Sequence, residues 1–145
     1  MNRVTIVATN TQFSIAVHMM AGLGYLPERH LTSTTLARSV NTSPSFVRRV
    51  LSKLSKAGLV HTSTGKSGSC WLARKPGKIS LLDIYRAVDA PKAFSIHSYE
   101  ARGECLVSCG IKPALERALK KTQIAMEAGL KQISLKQVIR DLDRG

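Results

Sequence analysis

From Arg29 to Leu82 the sequence contains no aspartate and no glutamate, and all nine acidic residues of the chain lie outside that stretch. Other absences narrow the field. No run of 18 apolar residues is available to span a bilayer. The N-terminal segment MNRVTIVATNTQFSIAVHMM is interrupted too often by Asn, Thr, Gln and His for a signal-peptide core, so a cytoplasmic protein without a membrane partner is expected. Cysteine is scarce and odd in number, three in all, which argues against a disulfide framework and leaves a buried thiol, a metal ligand or a redox switch. Aromatic residues make up only 5%, and no aromatic stacking strand of the RNA-binding type is visible. There is no glycine-rich phosphate loop and no paired-carboxylate motif. A Cys105–His97 couple would be the one conceivable nucleophile, but an enzyme leaves the acid-free stretch unexplained. No catalytic function is expected.

What is present is a chain of 145 residues, 43% hydrophobic, enough for one ordinary core. Its formal net charge is +13. The acid-free stretch carries Arg29, Arg38, Arg48, Arg49, Lys53, Lys56, Lys66, Arg74, Lys75 and Lys78. Helical surfaces without a special partner mix both signs, so this segregation points to phosphates, and double-stranded DNA is the leading partner, ahead of a general RNA-binding role.

Periodicity supplies the elements. TQFSIAVHMMAGL repeats apolar residues at Phe13, Ala16, Val17, Met20 and Ala21, with Leu23 beyond, and Gly22, Gly24 and Pro27 are expected to break that helix. Its His18 is expected to be an ordinary packed or surface residue. LTSTTLARSVN offers Thr32 or Ser33 as the cap of a short helix centred on Leu36, Ala37 and Val40, with a turn at Asn41-Thr42. Ser43 then caps a second helix with Pro44 at its first position. Two short helices joined by a tight turn form a helix-turn-helix.

In the second helix Val47, Val50, Leu51, Leu54 and Ala57 form the expected buried stripe, which leaves Ser45, Arg48, Arg49, Ser52, Lys53 and Lys56 outside. The outer face is either simply solvated or belongs to a recognition helix, and the charge asymmetry favours the latter. Gly58 ends the helix, and LVHTSTGKSGSCWLARK reads as a β-hairpin wing with Lys66 at its tip. A helix capped by Ser80 follows, running to Val88. KAFSIHSYEARGECLVSCG shows no helical period and is expected to be a sensing loop over residues 91–111. From Lys112 to Ile133 a long amphipathic stripe (Leu115, Ala118, Leu119, Ala125, Met126, Leu130, Ile133) predicts a helix that meets a second chain, before a short terminal helix.

The order of these parts, above all SPSFVRRVLSKLSKAGLV, LARKPGKISLLDIYRAV and AMEAGLKQISLKQVIRDL, resembles bacterial winged-helix regulators of the IscR/NsrR/CymR family. The resemblance implies a mainly α fold with a small β-hairpin wing, a winged helix-turn-helix over residues 1–90, and a dimerisation helix with a terminal helix over 112–145. It also implies a homodimeric repressor on a palindromic operator. Ser45, Arg48 and Arg49 would lie near base edges, Lys53, Lys56 and Lys66 on the backbone, and Thr34 and Ser43 within the DNA-facing set. Cluster-binding members of this family place three cysteines in the loop, whereas here it holds Cys105 and Cys109, with Cys70 in the wing. A thiol switch at Cys105 and Cys109, within one chain or across the dimer, is therefore the expected sensor, with no cofactor. An iron-sulfur cluster completed by His97, Glu100 or Glu104 is the alternative, and a small-molecule ligand or merely packed thiols remain open. Cys70 is expected to be an unreactive residue on a wing strand, with oxidation at the DNA surface as its alternative.

Overall fold

A computed structural model describes residues 11–63 and 68–144. The first helix, α1 (Gln12–Tyr25), buries Ala16, Met19, Met20, Ala21 and Leu23. Strand β1 (Leu31–Thr32) leads into α2 (Ser33–Val40), whose cap is Thr32: its hydroxyl accepts from the Thr35 N–H. Asn41 takes the left-handed conformation (φ 60°), which asparagine tolerates, and reverses the chain. Helix α3 (Pro44–Lys56) follows, capped by Ser43 Oγ on the Phe46 N–H. Gly58 at φ 74° turns the chain out of α3 into β2 (Val60–Thr62), and β3 (Ser69–Leu72) returns antiparallel to it.

The sheet has three strands in the order β1-β3-β2, one more than the expected hairpin, because Leu31 and Thr32 pair with Cys70 and Ser69. A 3₁₀ turn (Pro76–Lys78) precedes α4 (Leu81–Ala87), which opens with a reciprocal Ser80–Asp83 capping box. The long helix α5 spans Leu106–Gln132, and α6 spans Leu135–Leu142 behind a second capping box, Ser134 with Gln137. The two capping serines pair across an antiparallel bridge, through Leu81 N–H to Ile133 O and Leu135 N–H to Ile79 O. That bridge returns the end of α5 to the winged-helix core. No helix among the described residues is long and apolar enough to cross a membrane.

Three expectations need correction. Neither Gly22 nor Gly24 breaks α1, which continues to Tyr25. A Cβ on Gly24 would stand 2.5 Å from Ile139 Cδ1 and 3.2 Å from Leu72 Cδ1, so this glycine lets α6 and β3 approach the helix. Ala57 lies at the exposed C-terminal cap of α3 and is not part of the buried stripe. The long helix begins six residues before Lys112, so Cys105 is its N-cap and Cys109 lies in its first turns, outside any loop. The terminal helix packs on α1 and the 3₁₀ turn, with Leu135 fully buried. A larger side chain at position 24 must push these neighbours apart, so Gly24→Val should lower the free energy of unfolding by about 1–3 kcal/mol. Urea denaturation measures this; unchanged or increased stability would remove the close-approach role.

Candidate nucleic-acid interface

The orientation of α3 is set by its apolar side. Val47, Val50 and Leu54 are 0% exposed and Leu51 5%, packed with α2, α4 and β2. Ser45, Arg48, Arg49, Ser52 and Lys56 are consequently exposed, whereas Lys53 is half-buried along its stem. Thr34 is exposed in the first turn of α2. Ser43 is exposed too, but its hydroxyl is engaged in capping and in a 3.3 Å hydrogen bond with Ser45 Oγ. Lys66 lies outside the described residues.

The two arginines differ. The Arg49 guanidinium sits 5.4 Å from the centre of the Phe46 ring, one turn back on the same helix, a cation–π contact that draws it along α3. Arg48 makes no hydrogen bond, ion pair or ring contact among the described residues and is free to extend. The one ion pair among those residues, Arg86 to Glu127 at 3.7 Å, lies outside the acid-free stretch. The basic residues of α3 thus keep their charge uncompensated by neighbours, as a phosphate-facing surface requires.

Residues outside the expected set add aromatic groups on the sheet and a basic group at the end of α3. On the outer side of the sheet, His30, Trp71 and His61 form one row across β1, β3 and β2: Trp71 pairs with His61, and His30 precedes the Leu31–Cys70 pair. His30 stacks on Trp71 at 4.7 Å, and His61 lies 5.9 Å from the same ring. Arg74 reaches to the Gly58 turn at the end of α3. Its membership in the acid-free stretch was the available sequence signal for Arg74. The aromatic row had none, because β1 is too short to show a period.

The three thiols occupy unlike places. Cys70 is fully buried, its Sγ donating to Leu31 O at 3.1 Å, and burial pushes its thiol up from 9.0 to about 11. That removes oxidation of Cys70 at the DNA surface. Cys105 and Cys109 are exposed and not joined to each other. Cys105 Sγ accepts from the Ser108 N–H at 3.4 Å, and Cys109 Sγ donates to Arg102 O at 3.3 Å. Ser108 also receives the Arg102 N–H on its Oγ at 2.9 Å and the Tyr99 hydroxyl on its carbonyl at 2.5 Å. Both thiols are therefore wired to the end of the connecting segment. Further back, Gln123 on α5 holds the segment's start, accepting from Ala93 N–H at 3.0 Å and donating to Tyr85 Oη at 2.9 Å.

A family profile, Rrf2, described as an iron-dependent transcriptional regulator, matches residues 9–141. The chain is 34% identical over 134 residues to YwnA of Bacillus subtilis strain 168, which is named as an HTH-type transcriptional regulator; the alignment covers 92% of this chain and 98% of YwnA. A solved structure described as a DNA-binding protein is 33% identical and superposes with a TM-score of 0.71, covering 88% of this chain and 98% of its own. CymR of B. subtilis, described as the global cysteine regulator, shares the fold at 20% identity, with a TM-score of 0.67 over 93% of this chain and 98% of that one.

The difference between the thiols is measurable. At pH 8 iodoacetamide should modify Cys105 and Cys109 at the rate of exposed thiols and leave Cys70 unmodified until the protein unfolds; three equal rates would contradict the burial of Cys70. Because the folded-state value lies above the unfolded one, the stability linked to the neutral Cys70 thiol is complete below pH 9 and is lost as pH rises through about 11.

Proposed function

The chain belongs to the Rrf2 family of transcriptional regulators, and from that membership we propose that it is a homodimeric repressor which reads a palindromic operator through α3 and responds to oxidation of Cys105 and Cys109. As a member of the family it is a DNA-binding regulator and not an enzyme. The carrying observation is the outer face of α3, whose basic residues have no acidic partner among the described residues. In this reading Arg48 makes the bidentate contact to guanine O6 and N7, worth about 1–3 kcal/mol of discrimination. Arg49, Ser45 and Thr34 lie beside it, Ser43 presents the helix N-terminus, and Lys53, Lys56 and Lys66 meet phosphates. The DNA-reading unit runs to residue 90.

Dimerisation is supported by α5. Its 27 residues extend about 40 Å, yet none is buried, and Leu106 (91% exposed), Val107 (70%) and Ile124 (58%) stand open to solvent. Val107, Ala114, Ala118 and Ala125 are exposed at spacings of 7, 4 and 7, one helical face with small side chains that lets a partner helix come close. Two copies of α5 packed along this face would set two α3 helices at a fixed spacing, which a palindrome matches.

Control by thiols is supported by the Ser108 junction. One helical turn separates Cys105 from Cys109, with Cα atoms about 6 Å apart, within reach of a disulfide. Peroxide would convert the two thiols to a disulfide and itself to two waters. Forming that bond consumes the Cys109 S–H that donates to Arg102 O and draws the capping Cys105 Sγ towards Cys109, so the start of α5 and the segment held on it would rearrange. Iron is the family's described dependence, but the residues present do not fit a cluster, which takes three or four ligands. Among the described residues no three of His, Cys, Asp and Glu converge. His97 is stacked on Tyr99 at 4.8 Å, and Cys70 is enclosed beneath the sheet.

Electrophoretic binding to the gene's own upstream DNA and to random duplex tests the reading. Arg48→Ala should weaken operator binding about tenfold or more while sparing random duplex, and Lys56→Ala should weaken both alike; equal losses for both variants would sink the assignment. Peroxide should release the parent protein from the operator but not Cys105→Ser or Cys109→Ser, and equal release would end the thiol proposal. Ala118→Glu should move sedimentation from dimer towards monomer and weaken operator binding with it; unaltered sedimentation would exclude this face of α5 from the interface.

A further inference from the structure

A groove of about 540 Å³ opens between α1, α2 and α6. That volume falls within the range of small-molecule sites, about 300–1,000 Å³. Its walls include Val17 and Ala21 of α1, Leu36 of α2, and Val138 and Leu142 of α6. Tyr25, Leu26 and Leu142, exposed at 49%, 38% and 52%, gather at its rim.

Charge narrows the choice. In a chain of net charge +13, no lysine, arginine, aspartate or glutamate among the described residues lines this groove. A nucleic acid, a phosphate or a carboxylate would find no counter-charge here. Polar groups are few and paired: His18 Nε2 and Ser39 Oγ share a 2.9 Å hydrogen bond that joins α1 to α2, and Tyr25 donates to Asp143 at 3.2 Å on the α6 side. The floor contains Gly22. Unlike Gly24, it is not required by packing, because a Cβ there would meet only Leu36 Cδ2 at an ordinary 3.7 Å. Its missing side chain deepens the groove instead.

We propose that this groove binds a neutral, mainly apolar small molecule of one or two rings whose single hydroxyl or carbonyl group hydrogen-bonds at the His18–Ser39 pair. The α2 wall belongs to the helix-turn-helix, so an occupant bears directly on the helix that positions α3. The site stands independently of operator recognition, and its test needs no DNA.

The test is titration of the ¹⁵N-labelled full chain with 1-naphthol and, separately, with naphthalene, followed by NMR. We expect saturable shifts at one ligand per chain, concentrated on amides of residues 35–39 and 138–142. Preference for 1-naphthol over naphthalene should be about fivefold, and His18→Leu should erase it. Gly22→Ala should weaken binding and Gly22→Leu should reduce it about tenfold or more, with no fall in thermal midpoint, since both replace a helix-interior glycine by a better helix former. Absence of saturation, shifts concentrated on α5, or unchanged affinity in Gly22→Leu would each overturn the proposal. Affinity that falls as protein concentration rises would overturn it as well, and would assign the groove to a second copy of the chain.

Discussion

Val47, Val50, Leu51 and Leu54 must leave water together, and that requirement governs the basic outer face of α3. Burial of four such side chains contributes roughly 6–12 kcal/mol, taken at about 1.5–3 each, whereas repulsion between exposed like charges on one helix face amounts to a few tenths of a kcal/mol. Packing therefore wins, and Arg48 and Arg49 are turned outward whatever their mutual repulsion. The Ser43 cap and the left-handed Asn41 fix where α3 starts, and the left-handed Gly58 fixes where it stops. Every candidate DNA contact on α3 is placed by those local devices and one apolar stripe.

A second set of constraints acts at the other end of the molecule. The bridge between Ser80 and Ser134 draws the end of α5 back to the winged-helix core, while its start is free of that core and carries the two exposed thiols. In between, α4 and the connecting segment hold α5 through Arg86–Glu127 and the Gln123 hydrogen bonds. The helix is thus anchored to the core at its end and hydrogen-bonded to the connecting segment at its start, through Ser108. Cys70 takes no part: it donates to a β1 carbonyl and is a core residue of the sheet.

Glycine shows how a single residue type serves opposite ends. Gly24 removes a side chain because three neighbours occupy its space, and Gly22, two residues earlier on the same helix, removes one where space is left over. Both look alike in sequence, as breaks in an apolar period. Arg48 and Arg49 pose the same difficulty, since adjacency conceals that one is held over Phe46 while the other extends.

Much of this protein was legible in sequence because its signals are local. Caps at Thr32, Ser43 and Ser80, the proline at the start of α3, the turn at Asn41 and the glycine at 58 each act through neighbours within four residues, and the acid-free stretch is a fact of composition. Other features required distant residues to meet. Two residues became β1 only by pairing with Cys70 and Ser69 some 40 positions away, and that pairing built the His30–Trp71–His61 row. Residues 106–111 lack an apolar period because nothing buries them, yet backbone hydrogen bonds and the Cys105 cap continue the helix through them. The terminal helix was placed by the depth of Leu135 in the core. Sequence determined the helix-turn-helix and its charge, since those depend on periodicity and capping; tertiary packing alone decided which thiols are exposed and where a groove remains.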